Sequence, residues 1–280
     1  MKKIDVSKIT EAVYKLCIEA NVILTDDLRH ALETAAAEES WSTAKGVLGD
    51  IIENYNRAEK LEMPICQDTG MACVFVELGQ DIQIVGGLLS DAINEGVRRG
   101  YIDGYLRKSV VADPLERVNT RDNTPAMITY DIVEGDSLKI TVAPKGAGSE
   151  NMSRLAMLKP SDGVEGIKAF ILETVEKAGP NPCPPIVVGV GIGGTFDKAA
   201  YLAKKALLRP LDVPNPDEFY RDMEKELLDR INRLGIGPQG FGGRTTALGV
   251  NVEVLPTHIA GLPVAVNINC HVTRHLTEVI

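Results

Sequence analysis

The sequence predicts an α/β protein with a mixed β-sheet core surrounded by helices and a helical N-terminal portion. Three observations favour this class. Apolar residues recur at helical spacing through residues 5–60, helical and strand-like runs alternate after residue 60, and 26 glycines accompany only 5% aromatic residues. We expect a single domain over residues 1–280, with residues 1–60 helical and residues 61–280 forming the α/β part.

The charge balance narrows the classes of function. The formal net charge of −9 is unfavourable for binding nucleic acid, which needs a basic face to neutralise phosphates. The N-terminal ten residues contain no apolar segment typical of a signal peptide. No apolar run approaches the roughly 18 residues of a membrane span. We therefore expect a cytoplasmic protein that binds neither nucleic acid nor membrane.

The individual elements follow from periodicity and turn residues. Ile9, Val13 and Leu16 fall at helical spacing, and Thr25 followed by two aspartates is typical of a helix start. Beyond Pro64 we predict strands at residues 72–78, 185–191, 245–255 and 263–269, helices at residues 86–100, 163–178, 196–208 and 217–234, and a hairpin at residues 126–143 with its turn at residues 134–137.

The five cysteines fall into two groups. Their odd number, wide spacing and expected reducing surroundings argue against disulfides. Cys17 and Cys73 lie at core positions of a predicted helix and strand, so we expect them to be small hydrophobic residues. Cys66, Cys183 and Cys270 each lie where a regular element meets a polar or proline-rich turn. Without a closely spaced ligand pair, zinc is disfavoured and spacing alone identifies no metal.

Other segments carry weaker signals. Arg107 and Lys145 read as solvated charges when taken alone, although the glycine turn after Lys145 is typical of an anion-binding nest. The glycine-rich residues 189–194 match a dinucleotide fingerprint only loosely, and we interpret these glycines as serving close packing of a helix on a strand. His258, His271 and similar histidines are either proton donors or hydrogen-bonding core residues.

Six segments carry a resemblance to a known family. In order they are PICQDTG, KGAGSEN, NPCPP, GVGIGGTFDKA, GIGPQGFGG and NCHVTRH. Together they resemble the iron–sulfur class I fumarate hydratases and the related L-tartrate dehydratases, over nearly the whole chain. The chain is similar to the α subunit of the two-subunit form, which corresponds to the N-terminal half of the longer single-chain enzymes.

The resemblance implies a cofactor and its ligands. Cys66, Cys183 and Cys270 match the three cysteines that hold a [4Fe–4S] cluster, so residues 61–280 form the cluster-binding part. The fourth iron then has no protein ligand and serves as a Lewis acid toward a substrate hydroxyl and carboxylate. An iron exposed in this way is also expected to make the protein sensitive to oxygen.

The resemblance also implies substrate contacts. Asp68 matches a proton-transfer group and His258 a histidine of the site, while Gln67 and Arg107 match substrate-binding residues. An arginine suits a carboxylate because its fork pairs with both oxygens. Gly148, or its neighbour Gly146, matches a glycine whose backbone contacts substrate. The family's proposed base and several cationic residues lie in the half that this chain lacks.

The implied activity is reversible hydration of fumarate to L-malate, performed together with a β subunit in a heterotetramer with α–α pairing. The α chain alone is expected to be inactive. Three alternatives stay open. They are the α subunit of an L-tartrate dehydratase that converts tartrate to oxaloacetate, a non-catalytic iron–sulfur sensor or binding protein, and a nucleotide-dependent enzyme that uses residues 189–194.

Overall fold

The computed structural model describes residues 2–280 and divides the chain into two compact units. The first unit comprises residues 2–24, Tyr55–Ala147 and Arg274–Ile280, and the second comprises Thr25–Asn54 and Gly148–Thr273. Helices and mixed sheets occur together with a helical N-terminal region, which confirms the predicted α/β class. In the described part of the chain, no helix is both long and apolar enough to span a membrane.

The helical N-terminal region is preceded by a short strand. The elements there are β1 Lys2–Asp5, α1 Val6–Val22, α2 Asp26–Glu38 and α3 Ser42–Lys60. Asp5 ends β1 and caps α1, because its carboxylate accepts the Ser7 N–H at 2.9 Å. Along α1 the apolar positions predicted from helical spacing are buried, and Ile9 and Val13 are fully inaccessible to solvent.

The first unit is built on a four-stranded sheet. Its further elements are β2 Met71–Gly79, β3 Ile82–Val85, α4 Leu89–Asp103, β4 Met127–Val133 and β5 Leu138–Lys145, and the last strand of the chain, Leu276–Val279, also belongs to it. β2 lies in the middle of the sheet, parallel to β4 and antiparallel to β5, and the strand Leu276–Val279 pairs with the outer side of β5. β1 and β3 form a separate parallel pair.

The predicted hairpin at residues 126–143 is wrong. β4 and β5 form at the expected places but do not pair with each other, because β2 lies between them. Their connection passes over the end of β2, where the Gly79 N–H donates to Ser137 O at 3.0 Å. A Cβ at Gly79 would lie 2.5 Å from Gly135 O, so the crossing requires glycine. Alternating runs joined by a short turn look the same in sequence whether or not a third strand separates them.

Close contact between α1 and α4 depends on glycines at four-residue spacing. A Cβ at Gly96 would lie 2.7 Å from Thr10 O, and one at Gly100 would lie 2.8 Å from the Cys17 Cβ. The two helix backbones therefore approach within a distance that excludes even a methyl group. The apolar side chains around this contact continue into the core of the first unit beneath β2 and β5.

The second unit is built on a four-stranded mixed sheet. Its elements are α5 Ala147–Glu150, β6 Arg154–Leu158, α6 Gly163–Ala178, β7 Ile186–Gly194, α7 Phe196–Ala206, α8 Glu218–Asn232, β8 Ala247–Thr257 and β9 Leu262–Asn269. The first residue of α5, Ala147, is the last residue of a first-unit segment. The strand Leu276–Val279 of the first unit is β10. The strand order is β6-β9-β7-β8, with β7 and β8 parallel and the other pairs antiparallel.

The glycine-rich strand β7 packs directly against α7. A Cβ at Gly189 would lie 2.1 Å from Ala203 O, and a Cβ at Gly191 would lie 2.2 Å from Ala199 O. The interpretation that residues 189–194 serve close packing of a helix on a strand is confirmed for Gly189 and Gly191, whereas a Cβ at Gly193 would instead meet Leu255 O of β8 at 2.0 Å.

We predict that Gly96→Ala destabilises the protein by roughly 1–3 kcal/mol, because the added methyl group forces α1 and α4 apart. The matched control is Gly49→Ala in α3, where a Cβ meets no atom within 4 Å. This control should instead stabilise by about 0.5–1 kcal/mol through helix propensity. Urea unfolding followed by circular dichroism measures both changes, and equal effects of the two substitutions would contradict the packing account.

Candidate active site

The Cys66 turn, residues 66–70 between α3 and β2, is organised by one carboxylate. Asp68 Oδ1 accepts the Gly70 N–H at 3.0 Å, and Asp68 Oδ2 accepts the Ala147 N–H at 3.0 Å. The first bond closes a local turn and the second ties the turn to the start of α5, which follows β5 and is distant in sequence. Hydrogen bonds from backbone N–H groups to a charged carboxylate are stronger than neutral ones, so they fix the side chain of Asp68 in one orientation.

Cys66 lies half-buried at the start of this turn. Its Sγ accepts the N–H of Asp68 at 3.4 Å, and Gln67 Oε1 lies 3.5 Å from the same sulfur. Hydrogen bonds from N–H groups to sulfur are one of the ways in which proteins tune a metal-bound cysteine. The side chain of Gln67 is exposed. The turn therefore presents a thiol, an amide and a carboxylate on consecutive residues.

Arg107 is held beside the Cys66 turn by Thr69. The Thr69 hydroxyl accepts the Arg107 N–H at 2.9 Å and lies 3.4 Å from Arg107 O, while the buried Tyr101 hydroxyl donates to Thr69 O at 2.9 Å. Burial raises the pKa of Tyr101, which keeps this hydroxyl protonated as a donor. The Arg107 side chain is exposed and forms no hydrogen bond or ion pair with any described residue. Its guanidinium is thus available to an anion.

Two glycines allow the strands to approach the Cys66 turn. Gly70 has φ +72°, and a Cβ there would lie 2.6 Å from the Lys145 backbone. Gly70 O also accepts the amide N–H of the fully buried Asn123 at 3.1 Å. A Cβ at Gly146 would lie 3.2 Å from Asp68 Oδ2, whereas Gly148, in the second unit, has room for one, with its nearest neighbour at 3.7 Å. Of the two candidate glycines, Gly146 is therefore the one at which a side chain would crowd Asp68.

In the second unit, His271 joins the loops that carry Cys183 and Cys270. The backbone N–H of His271 donates to Cys183 O at 3.3 Å, and the His271 Nδ1 lies 3.0 Å from the same oxygen. A carbonyl oxygen can only accept, so the second bond requires the proton on Nδ1. Cys183 is exposed and has φ +56°, a left-handed conformation that costs a non-glycine residue about 1–2 kcal/mol. Such strain persists only where surrounding bonds impose it.

Those surrounding bonds come from the Gln239 loop, residues 235–243. The backbone N–H of Gln239 donates to Pro184 O at 2.7 Å, and its side-chain Nε2 donates to the same oxygen at 2.8 Å. Nε2 also lies 3.2 Å from His271 Nδ1. Gln239 itself has φ +53°. One side chain therefore contacts both cysteine-bearing loops of the second unit.

Glycines and a buried glutamate hold the Gln239 loop in place. A Cβ at Gly240 would lie 2.4 Å from the Pro180 side chain. Glu39 accepts the N–H of Arg244 at 2.7 Å and of Trp41 at 2.9 Å. Burial acts to raise the pKa of Glu39, but these N–H groups outweigh it and hold the pKa below its usual value. The ionised form of Glu39 is therefore the one that anchors the loop.

His258 lies in the exposed connection between β8 and β9 of the second unit. Its Nδ1 accepts the Ala260 N–H at 3.1 Å, and its carbonyl accepts the Gly261 N–H at 2.9 Å. Accepting at Nδ1 leaves the proton of the neutral ring on Nε2. His258 is thus oriented by its own turn and can present Nε2–H outward.

The predicted site residues are distributed over both units. The first unit brings together Cys66, Gln67, Asp68, Arg107 and Gly146, and the second contains Gly148, Cys183, His258 and Cys270. Cys17 and Cys73 are buried core residues, as predicted, and burial raises the pKa of the Cys17 thiol. Within residues 2–280, no group of three or more His, Cys, Asp or Glu side chains is arranged to hold a metal ion.

The chemistry of the donor set fits an iron–sulfur group even so. Cys66, Cys183 and Cys270 are exposed or half-buried, and no disulfide joins any of the five cysteines, all of which lie in the described part of the chain. Thiolates are the ligands that such clusters use. The buried Arg274 donates through Nη2 to Asp68 O, while its Nε and Nη1 have no hydrogen-bond partner among the residues that the structure describes. These orphaned donors beside the Cys66 turn suit an anionic group.

Three residues that organise the site escaped prediction, although each lies in a quoted motif. Thr69 is in PICQDTG, Gln239 in GIGPQGFGG and Arg274 in NCHVTRH. A threonine, a glutamine and an arginine read as surface residues when the sequence alone is considered. Their roles depend on burial and on carbonyl partners far along the chain, which no local pattern indicates.

A thiol-bearing turn, an oriented carboxylate and an unpaired guanidinium, set in an α/β fold, are typical of an enzyme for a small anionic substrate. The chain belongs to the fumarate hydratase (fumerase) family, whose sequence pattern it matches over residues 10–279. The family consists of hydro-lyases.

Two relatives illustrate the similarity. The chain is 46% identical over 273 residues to a Methanocaldococcus jannaschii protein named "Putative L(+)-tartrate dehydratase subunit alpha", and the match covers 95% of each chain. It is 34% identical over 280 residues to the L(+)-tartrate dehydratase subunit alpha of Escherichia coli O157:H7, covering 99% of this chain and 92% of that protein.

We predict that Gln239→Leu loosens the Cys183 loop, because it removes the side-chain donor to Pro184 O, and with it the Cys270 loop, because His271 bonds to Cys183 O. Amide hydrogen exchange of peptides containing Cys183 and His271 should speed up by roughly fivefold or more, the equivalent of one lost hydrogen bond. Gln239→Glu should act similarly, since a carboxylate cannot donate. Phe241→Ala, at an exposed position of the same loop, is the control and should leave both peptides unchanged. Unaltered exchange in Gln239→Leu would refute the role of Gln239.

Proposed function

We propose that the chain is the cluster-binding α subunit of a hydro-lyase that interconverts fumarate and L-malate. The observation that carries the proposal is the grouping of Cys66, Asp68 and the unpaired Arg107 within the first unit. This grouping combines a metal-binding thiol, a proton-transfer group and a carboxylate-binding cation. Membership in the fumarate hydratase family supports the same reaction class.

The proposed cofactor is a [4Fe–4S] cluster held by Cys66, Cys183 and Cys270, with one iron lacking a protein ligand. When bound, such a cluster supplies a Lewis acid that makes hydroxide a better leaving group. The proposal is supported by the N–H directed at the Cys66 sulfur and by the bonds from His271 and Gln239 that fix the Cys183 loop.

We assign substrate binding to residues around the Cys66 turn. The Arg107 guanidinium pairs with one substrate carboxylate through two parallel N–H bonds. The Gln67 amide, which is exposed on the Cys66 turn, can donate to the same substrate. The backbone of Gly146 or Gly148 approaches the substrate because neither residue carries a side chain. Holding the reacting groups in register supplies a large part of the rate acceleration.

Proton transfer is assigned to Asp68 and His258. Each Asp68 oxygen accepts one backbone N–H, which leaves a lone pair on each for a proton. Asp68 can therefore exchange a proton with the departing oxygen without leaving its position. His258 contributes its Nε2–H as a donor. The base that removes the carbon-bound proton is assigned to the β subunit, so the active assembly is a heterotetramer with α–α pairing.

The ligand assignment predicts a specific pattern of iron loss. After anaerobic reconstitution with iron and sulfide, Cys66→Ala, Cys183→Ala and Cys270→Ala should each retain less than about a quarter of the wild-type iron, because a missing thiolate leaves the cluster with too few protein ligands. Cys73→Ala makes the same change at a buried core cysteine and is the matched control. Undiminished iron in the three variants would exclude these residues as ligands.

Activity should require the partner subunit. The reconstituted α chain, assayed anaerobically with L-malate, is expected to be inactive alone and to convert malate to fumarate when the β subunit is added. In the complex, Arg107→Lys should raise KM for malate by roughly tenfold or more, since a single ammonium does not replace the bidentate fork. A full rate from the α chain alone would overturn the two-subunit assignment.

L-tartrate is the second candidate substrate, because both relatives described above are named as L(+)-tartrate dehydratase subunits. The same complex, assayed side by side with malate and tartrate, decides between them through the ratio of kcat/KM values. A ratio that favours tartrate would mean that the enzyme converts tartrate to oxaloacetate and that the assignment as a fumarate hydratase is wrong.

A further inference from the structure

Arg274 is an unusual buried cation of the first unit. Only 3% of its surface is exposed, yet its one hydrogen-bond partner within residues 2–280 is a neutral carbonyl, the oxygen of Asp68, to which Nη2 donates. Nε and Nη1 are buried and have no hydrogen-bond partner in that part of the chain. Buried arginines are ordinarily paired with a carboxylate, since removal of an unpaired charge from water is unfavourable. Arg274 lacks such a partner among the described residues.

No carboxylate of the described residues forms an ion pair with Arg274. The Asp68 carboxylate is engaged with the N–H groups of Gly70 and Ala147 instead. The Tyr101 hydroxyl is close enough for Arg274 to act on its pKa, but burial dominates and raises that pKa, so the hydroxyl stays neutral. Asp68 is thus bonded on its carbonyl side to Arg274 and on its N–H side to the Cys66 sulfur.

We propose that Arg274 is a charge-compensating and positioning residue for an anionic iron–sulfur group bound through Cys66. The inference rests on the cofactor assigned under the proposed function. Three thiolates outweigh the positive charge of an oxidised cluster core, so the assembled group is an anion. Arg274 holds the Cys66 turn by its carbonyl and supplies the opposite charge. It touches no reacting atom and is not a catalytic residue.

This role predicts opposite effects of replacing Arg274 in the cluster-free and the cluster-bound protein. Without the cluster, Arg274 is a buried charge with no ion-pair partner among the described residues, and its replacement by an apolar side chain of similar length relieves that penalty. With the cluster, the same replacement removes a compensating charge. A residue that only braced the Cys66 turn would instead stabilise both states alike.

The test compares full-length wild type, Arg274→Met and Arg274→Lys before and after anaerobic reconstitution with iron and sulfide. Thermal unfolding and iron content per chain are the two measurements. Metal-free Arg274→Met should unfold at or above the wild-type temperature, by about 2 °C or more if the penalty is relieved in full. After reconstitution it should hold less than half of the wild-type iron and lose it faster to a chelator. Arg274→Lys, which keeps the charge, should restore a large part of the iron.

Arg121→Met is the control, since it removes an exposed arginine of the first unit. It should change neither measurement. A lower unfolding temperature of Arg274→Met in both states, failure of that variant to fold, or equal iron retention in Met and wild type would each overturn the inference. An iron content of Arg274→Lys as low as that of Arg274→Met would also overturn the inference. If wild type itself takes up no iron, the proposed cofactor fails, whereas normal uptake with an unaffected Met variant rejects the role of Arg274 alone.

Discussion

The organisation of the first unit depends on the backbone N–H groups that bind the Asp68 carboxylate. These bonds from Gly70 and Ala147 close the Cys66 turn and fasten it to the start of α5, which follows β5. With the turn fixed, Thr69 positions the Arg107 backbone and Cys66 presents its sulfur to an amide N–H. The turn that this carboxylate fixes thus carries the thiol, holds the Arg107 backbone through Thr69, and accepts a bond from the buried Arg274 at the main-chain oxygen of Asp68. The sheet of the first unit serves as the rigid platform for this arrangement.

In the second unit, different residues hold the loops that carry cysteines. Here the cysteine-bearing loops are fixed by Gln239 and His271, which bond to the carbonyls of Pro184 and Cys183. Left-handed backbone at Cys183 and Gln239 is tolerated because these bonds impose it. Both units therefore use hydrogen bonds to main-chain groups to hold a loop that carries a cysteine. Carbonyl and amide groups suit this role since they cannot titrate.

Much of the fold could be predicted because its signals are local. The helix at residues 163–178 and the burial of Cys17 and Cys73 follow from periodicity, and the glycines of β7 follow from the need for close packing. The insertion of β2 between β4 and β5 could not be predicted, since strand order depends on pairing between distant segments. Candidate site residues came from motifs, whereas the burial of Arg274 is set by tertiary packing. Hydrophobic periodicity carries no information about strand order or about the tertiary packing that buries Arg274.

The role of the Asp68 carboxylate is tested most directly by amide hydrogen exchange at Gly70 and Ala147, followed residue by residue by NMR in the full-length chain. Wild type should protect both amides, and Asp68→Ala should abolish protection of both together while amides in the centre of β2 stay protected. Fast exchange at Gly70 and Ala147 in wild type, or protection that survives Asp68→Ala, would contradict the account that this carboxylate fixes the Cys66 turn.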